Sequence, residues 1–268
     1  MELITSRSNP KIKQLRLLKE RKGRQASGLA LVEGIHPVGE AVAASLLNKA
    51  AIEAIYYAPQ LLQSVFANAL VEQQAARGIP CIALTEEVFL SVAEKDNPQG
   101  VLAVVRPARY DLDGLSQQDA PWCVALVSPQ DPGNTGAILR TIDAVGASAL
   151  ILLDSGVDAF HPSAVRASMG ACFWYPVISA TFANFSQWAR QAGYTIYGTS
   201  AHANQDYSEV EYRQPCILLL GSEREGLTAE HKAMCNFLVR MPMRGRGSSL
   251  NLAIAAGVML YAMLEKMC

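Results

Sequence analysis

The chain has 268 residues, half of them hydrophobic and 18% charged, with a formal net charge of −1. That composition supports one large or two ordinary folded domains around a buried core and excludes an intrinsically disordered protein. The charged N-terminus lacks the apolar run of a signal peptide, and the longest uncharged apolar stretch, Leu250 to Leu264, is shorter than the roughly 20 residues that span a bilayer.

Six cysteines (Cys81, Cys123, Cys172, Cys216, Cys235, Cys268) are scattered without CxxC or Cys/His spacing. They read as reduced, mostly buried thiols of a cytoplasmic protein, and neither a metal nor a membrane is expected as a partner.

Charge is unevenly spread. In residues 1–24, Arg7, Lys11, Lys13, Arg16, Lys19, Arg21, Lys22 and Arg24 face only Glu2 and Glu20, a net +6 that leaves −7 for the remainder. A basic arm on a mildly acidic body is a footprint for RNA phosphates, with Lys11, Lys13, Arg16 and Arg21 as candidate contacts. The plainer reading is a solvated helix with surface ion pairs. Ser8-Asn9-Pro10 offers a cap and a first-turn proline and Gly23 a stop, while Ile12, Leu15 and Leu18 mark the buried side between them.

Strands then alternate with helices: Ala30 to Val32, a helix from Pro37 to Leu47, Ile52 to Tyr57, a helix from Gln60 to Arg77 ended by Gly78, Ile79 to Leu84, a helix that Thr85 could cap, and Val101 to Val105. Four strands with intervening helices make a small α/β domain over residues 1–107. The polar stretch 108–120, flanked by prolines and without apolar periodicity, reads as a linker. A second α/β domain, 121–268, has strands at Cys123–Val127, Ala149–Leu153, near Val177, Thr195–Tyr197, Cys216–Leu220 and Phe237–Val239. Its helices fall at Thr135–Val145, Phe185–Ala192, Thr228–Cys235 and Leu250–Lys266.

Three loops follow strands of this second domain: Asp131-Pro132-Gly133-Asn134-Thr135-Gly136-Ala137-Ile138-Leu139-Arg140, Gly221-Ser222-Glu223-Arg224-Glu225-Gly226-Leu227, and Met241-Pro242-Met243-Arg244-Gly245-Arg246-Gly247-Ser248-Ser249-Leu250-Asn251. Ligands of α/β sheets bind at the carboxyl ends of strands, so the three are expected to line one pocket. The first loop, with Asp154 about 20 residues on, also has the outline of a dinucleotide site. Its glycines are three apart, however, Pro132 sits inside the turn, and GxGxxG is absent. The glycine-rich signature of a Rossmann-type methyltransferase is missing as well. In the second loop two glycines permit a sharp turn, and the plainer reading is a strand-to-helix turn with Thr228 as cap. The third reads, at the least, as a cap before an apolar helix.

In this order and at these separations, the three segments resemble the signature motifs of the SpoU/TrmH-type RNA ribose 2′-O-methyltransferases of the SPOUT superfamily. Phe160 to Ala171 is similar to a segment between the first two motifs, with Arg166 a candidate phosphate contact and His161 a structural residue. Leu31-Val32-Glu33-Gly34 is similar to the start of that family's RNA-recognition domain. The resemblance implies a parallel sheet with a C-terminal trefoil knot, S-adenosyl-L-methionine as cofactor, ribosomal or transfer RNA as substrate, and a homodimer.

It implies that Arg140 is the central catalytic residue, with Asn134, Glu223, Ser249 and Asn251 positioning it, the ribose and the cofactor. Leu219, Gly221, Met241 and Leu250 would hold the adenosine. A guanidinium is a poor base at neutral pH, so Arg140 orients the hydroxyl or loses its proton only transiently with a phosphate's help. The family commonly has Gly where this chain has Arg224. The alternatives are a base N-methyltransferase of another SPOUT branch, a non-catalytic RNA-binding or ribosome-assembly factor, and an NAD-dependent oxidoreductase.

Overall fold

The computed structural model describes residues 3–267, so Glu2 of the basic arm and Cys268 lie outside the described residues. In chain order the elements are β1 (Leu3–Ile4), α1 (Pro10–Leu17), α2 (Arg21–Ser27), β2 (Ala30–Glu33), α3 (Ile35–Ser45), β3 (Ala50–Tyr57), α4 (Val65–Ala76), β4 (Cys81–Leu84), α5 (Glu86–Leu90), β5 (Val101–Pro107), β6 (Trp122–Val127), α6 (Pro132–Val145) and β7 (Ala149–Leu153). There follow α7 (Pro162–Ala167), β8 (Val177–Ala180), α8 (Phe182–Gln191), β9 (Thr195–Thr199), β10 (Gln205–Asp206), β11 (Cys216–Leu220), α9 (Ala229–Met234), β12 (Phe237–Arg240) and α10 (Leu252–Met267). No helix of the described residues is long and apolar enough to cross a membrane.

The chain forms two compact units, residues 1–108 with 160–174, and residues 109–159 with 175–268. The first carries a five-stranded sheet in the order β1-β4-β3-β5-β2, with β5 antiparallel to both its neighbours. The expected four strands become five because the two-residue β1 pairs with β4 through Leu3 and Ile4, too short to show an alternation. The expected single helix ending at Gly23 is instead two. The chain turns at residues 18–20, and α2 runs on to Gly28, whose left-handed φ of 68° ends it. Gly23 has a packing reason: a side chain there would collide with the Leu17 carbonyl. Ile12, Leu15 and Leu18 are buried as their spacing requires.

The segment 160–174 belongs to this first unit, through α7 against β2 and through Trp174, whose indole N–H donates to Glu40 at 2.7 Å. Nothing in its sequence periodicity separates it from the chain on either side.

The second unit is built on a seven-stranded sheet in the order β10-β12-β9-β11-β6-β7-β8, parallel throughout. Its central strands β6, β7 and β11 are buried along their whole length, as helices on both faces of a parallel sheet require. After β6 the chain winds outward through β7 and β8, then returns to the other side through β9, so the winding reverses beside β6 and β11. That is where an open α/β sheet leaves a crevice at its carboxyl edge. The stretch read as a linker has no helix or strand, yet it is no free tether. Leu112, Leu115 and Ala120 are buried in the core of this unit, an anchoring by three isolated apolar residues that shows no period.

Candidate active site

Each of the three loops leaves a strand at the carboxyl edge of the second sheet. After β6, Asp131 caps α6, its carboxylate accepting the Gly133 amide at 2.5 Å and the Asn134 amide at 3.3 Å. Pro132 occupies the first turn, where no N–H is needed. After β11, residues 222–226 close a tight turn through the Gly226 amide on the Ser222 carbonyl at 3.0 Å, bridged between Ser222 and Gly226. Gly221 lies so close beneath it that any side chain would collide with the main chain of Gly226 and Leu227. Thr228 then caps α9 in a reciprocal capping box with His231.

One hydrogen-bonded line joins the three loops. Asn251 Oδ1 accepts the amides of Ala253 at 2.9 Å and Ile254 at 3.3 Å, capping α10. Its Nδ2 donates to Asn134 Oδ1 at 2.9 Å, and Asn134 Nδ2 donates to Glu223 Oε1 at 3.1 Å. Glu223 also accepts the main-chain amides of Gln130 at 3.0 Å and Asp131 at 3.3 Å. Two carboxylates, Asp131 and Glu223, therefore sit at the amino end of α6, where the helix dipole favours negative charge. Packing of α10 on α6 holds the third loop beside the first.

A cavity of about 590 Å³ opens beside this line, walled by Thr199 and Ser200 after β9, by Leu220 to Leu227, and by Val239, Met241, Met243, Ser248 to Leu252 and Ala255. The volume lies inside the range of roughly 300–1,000 Å³ for small-molecule sites, and apolar walls with a few polar groups are their usual lining. Among the described residues no cluster of three or more His, Cys, Asp or Glu side chains could hold a metal ion.

Of the expected residues, Asn134, Glu223 and Asn251 meet in the hydrogen-bonded line, and Gly221, Met241, Ser249 and Leu250 line the cavity. Leu219 does not. It is fully buried in the core of the unit, and Leu220 takes the place on the wall, because consecutive strand residues face opposite sides. Arg140 is on α6 as expected but apart from the cavity wall. It lies six residues past Asn134, about 240° around the helix axis and ~9 Å along it, exposed and without a hydrogen bond or ion pair among the described residues. Residues that reasoning from sequence missed are Gln130, Thr199 and Ser200, which sit next to strand ends and carry no motif of their own.

The basic arm is corrected in part. Arg24 is buried and donates to the carbonyls of Leu18 at 2.9 Å and Lys19 at 2.6 Å, closing the turn between α1 and α2. Arg16 donates to the Arg7 carbonyl at 3.0 Å and Ser91 Oγ at 2.9 Å, and Lys19 donates to the Ala93 carbonyl at 3.3 Å. Lys13 and Lys22 are exposed. Arg166 is paired with Glu94 at 2.6 Å and donates to Ser163 Oγ at 3.1 Å, so its guanidinium serves the first unit itself. His161 caps α7, accepting the Ser163 amide at 3.1 Å.

Residues 121–261 match the model of the SpoU rRNA methylase family, and residues 9–103 match that of an MRM3-like substrate binding domain. The 23S rRNA (uridine(2479)-2'-O)-methyltransferase of Streptomyces viridochromogenes is 34% identical, over 96% of this chain and 90% of that protein. The 23S rRNA (guanosine(2553)-2'-O)-methyltransferase of Bacillus subtilis is 28% identical, over 97% and 98%. Among solved structures, an AdoMet-bound rRNA methyltransferase from Sinorhizobium meliloti is similar with a TM-score of 0.88 and 33% identity, covering 98% of this chain and 97% of that one. With three loops joined by one line of hydrogen bonds and a family match across that whole unit, the chain belongs to the SpoU rRNA methylase family.

Proposed function

We propose that the protein is an S-adenosyl-L-methionine-dependent methyltransferase that methylates a ribose 2′-hydroxyl of ribosomal or transfer RNA in the cytoplasm. The observation that carries this reading is the Asn251–Asn134–Glu223 line beside one cavity, built from three loops of a SpoU-family sheet. The two relatives named above act on a uridine and a guanosine. Those nucleosides differ in base and share their ribose, which is the part an invariant catalytic set would read.

The cavity fits the cofactor. Its volume suits a nucleoside with a short side chain, Leu220, Leu227, Met241 and Leu250 offer apolar walls, and Gly221 leaves main chain open to a ligand. When bound, the cofactor supplies an electrophilic methyl group. The protein's part is to hold the ribose oxygen in line and to stabilise the charge it gains as its proton leaves. Arg140, a permanent donor, orients the hydroxyl and the neighbouring phosphate; Asn134 and Glu223 fix the start of the helix that carries it; Ser249 and Asn251 hold the cavity's third wall.

Arg140 is supported as the working residue by its lack of a partner within the chain, and a homodimer would complete the site around it. The exposed apolar stripe of α10, with Ile254 57%, Val258 36% and Tyr261 55% exposed, supports that dimer, since a symmetric partner would cover it. The path from β12 through residues 241–251 into α10, returning to pack on α6, is read as the family's trefoil knot. Residues 1–107 are read as the RNA-recognition domain, supported by the substrate-binding match.

Calorimetric titration tests the reading. Saturable binding of S-adenosyl-L-methionine without binding of NAD is expected; binding of NAD alone would overturn it. Sedimentation at micromolar concentration is expected to give a dimer.

A further inference from the structure

Arg224 is a departure of this chain from its family's common pattern, and the fold gives it no structural task. It follows Glu223, whose carboxylate is clamped by three N–H donors of the first loop. It precedes Glu225, whose amide is tied to Ser222 Oγ at 3.2 Å. The turn is thus anchored on both sides of Arg224, closed at its base by the Ser222–Gly226 bridge and seated on Gly221. Arg224 stands at its tip, exposed, on the lining of the cavity, with no hydrogen bond or ion pair among the described residues. A rigid main chain thus presents a mobile guanidinium at the mouth of the site.

Two anions come to such a site, the carboxylate of the cofactor and the phosphates of the RNA. A group at the tip of an anchored turn meets what arrives from solvent. A guanidinium also offers a planar fork that matches a phosphate with two parallel hydrogen bonds. Resting on the methyltransferase reading above, we infer that Arg224 is a positioning residue that holds a backbone phosphate of the RNA substrate over the cavity.

The test uses the full chain with Arg224→Gln and Arg224→Lys, an unmodified 23S rRNA transcript, and S-adenosylhomocysteine. Arg224→Gln is expected to weaken transcript binding about threefold or more and to lower the slope of log affinity against log salt by about one. Arg224→Lys should restore the slope, and S-adenosylhomocysteine affinity should stay unchanged in both. Wild-type RNA affinity and slope in Arg224→Gln would overturn the proposal. So would a loss of S-adenosylhomocysteine affinity with RNA binding intact, which would assign the guanidinium to the cofactor's carboxylate. Failure of the wild-type protein to bind S-adenosylhomocysteine would instead bring down the methyltransferase reading, and this inference with it.

Discussion

Asn251 donates to Asn134 Oδ1 at 2.9 Å, and that bond settles which way both amides face. The Asn251 oxygen is already committed to the first amides of α10, so only its nitrogen is left for Asn134. Asn134 must then offer its oxygen to Asn251 and its nitrogen to Glu223. Reversing either amide would set donor against donor. A helix cap in the third loop is in this way transmitted to the carboxylate of the second.

The line predicts a charge-reversal rescue. Asn134→Asp places a carboxylate against Glu223 and is expected to cost about 1–3 kcal/mol of stability and most of the methylation rate. Glu223→Gln in the same chain supplies a donor to the new carboxylate and should recover part of both. Thermal unfolding and initial rates for the two single variants and the double variant measure the coupling. Additive losses would show that the two side chains act independently.

Gly221→Ala tests the seat of the second loop. The added methyl meets main chain, which cannot move aside as a flexible side chain can. Loss of S-adenosylhomocysteine binding, with a destabilisation of about 2 kcal/mol or more, is expected by calorimetry and denaturant titration. Normal binding would mean the turn has slack that the structure does not show.

The basic arm divides into two kinds of cation. Arg24→Ala leaves the Leu18 and Lys19 carbonyls without their donor and is expected to cost roughly 2 kcal/mol of stability. Lys13→Gln with Lys22→Gln should leave stability alone and lower the salt slope of RNA binding by about two. An unchanged slope would make these lysines a solvated face.

Burial pushes the thiols of Cys123, Cys216 and Cys235 up to about 12, against 9.0 for a free thiol. Below pH 9 the folded and unfolded chains both keep these protons, and the stabilisation is complete. Between pH 9 and pH 12 the unfolded chain releases them while the folded chain does not, so stability falls across that window. Native protein at pH 8 should leave all three unalkylated by iodoacetamide. The melting temperature should fall less steeply above pH 9 in a Cys123→Ala/Cys216→Ala variant than in the wild type.

Much of the second unit was legible because its strands are continuous apolar runs between turn residues: Ala149–Leu153 and Cys216–Leu220 fall where the sequence places them. What stayed hidden is set by tertiary contact. β1 and β10 are two residues long, and residues 160–174 join the first unit through Trp174 and Glu40. Arg24 and Arg166 look like their exposed neighbours in sequence and are distinguished only by the carbonyls and the carboxylate they find. The site residues were legible as motifs, but the bonds joining Asn134 to Asn251, 117 positions apart, and to Glu223 required the folded sheet. Leu219 and Leu220 differ by one step of strand alternation, which a fully apolar strand does not reveal.

The central claim is methyl transfer to a ribose oxygen with Arg140 acting in the transition state. The most direct measurement is incubation of wild type and Arg140→Ala with radiolabelled S-adenosyl-L-methionine and unmodified ribosomal and transfer RNA, followed by alkaline hydrolysis. The account predicts label in an alkali-resistant dinucleotide, because a methylated 2′-oxygen cannot attack the adjacent phosphate. It also predicts a rate at least about 100-fold lower in Arg140→Ala with cofactor affinity unchanged. Label on a free base, or full activity in Arg140→Ala, would contradict it.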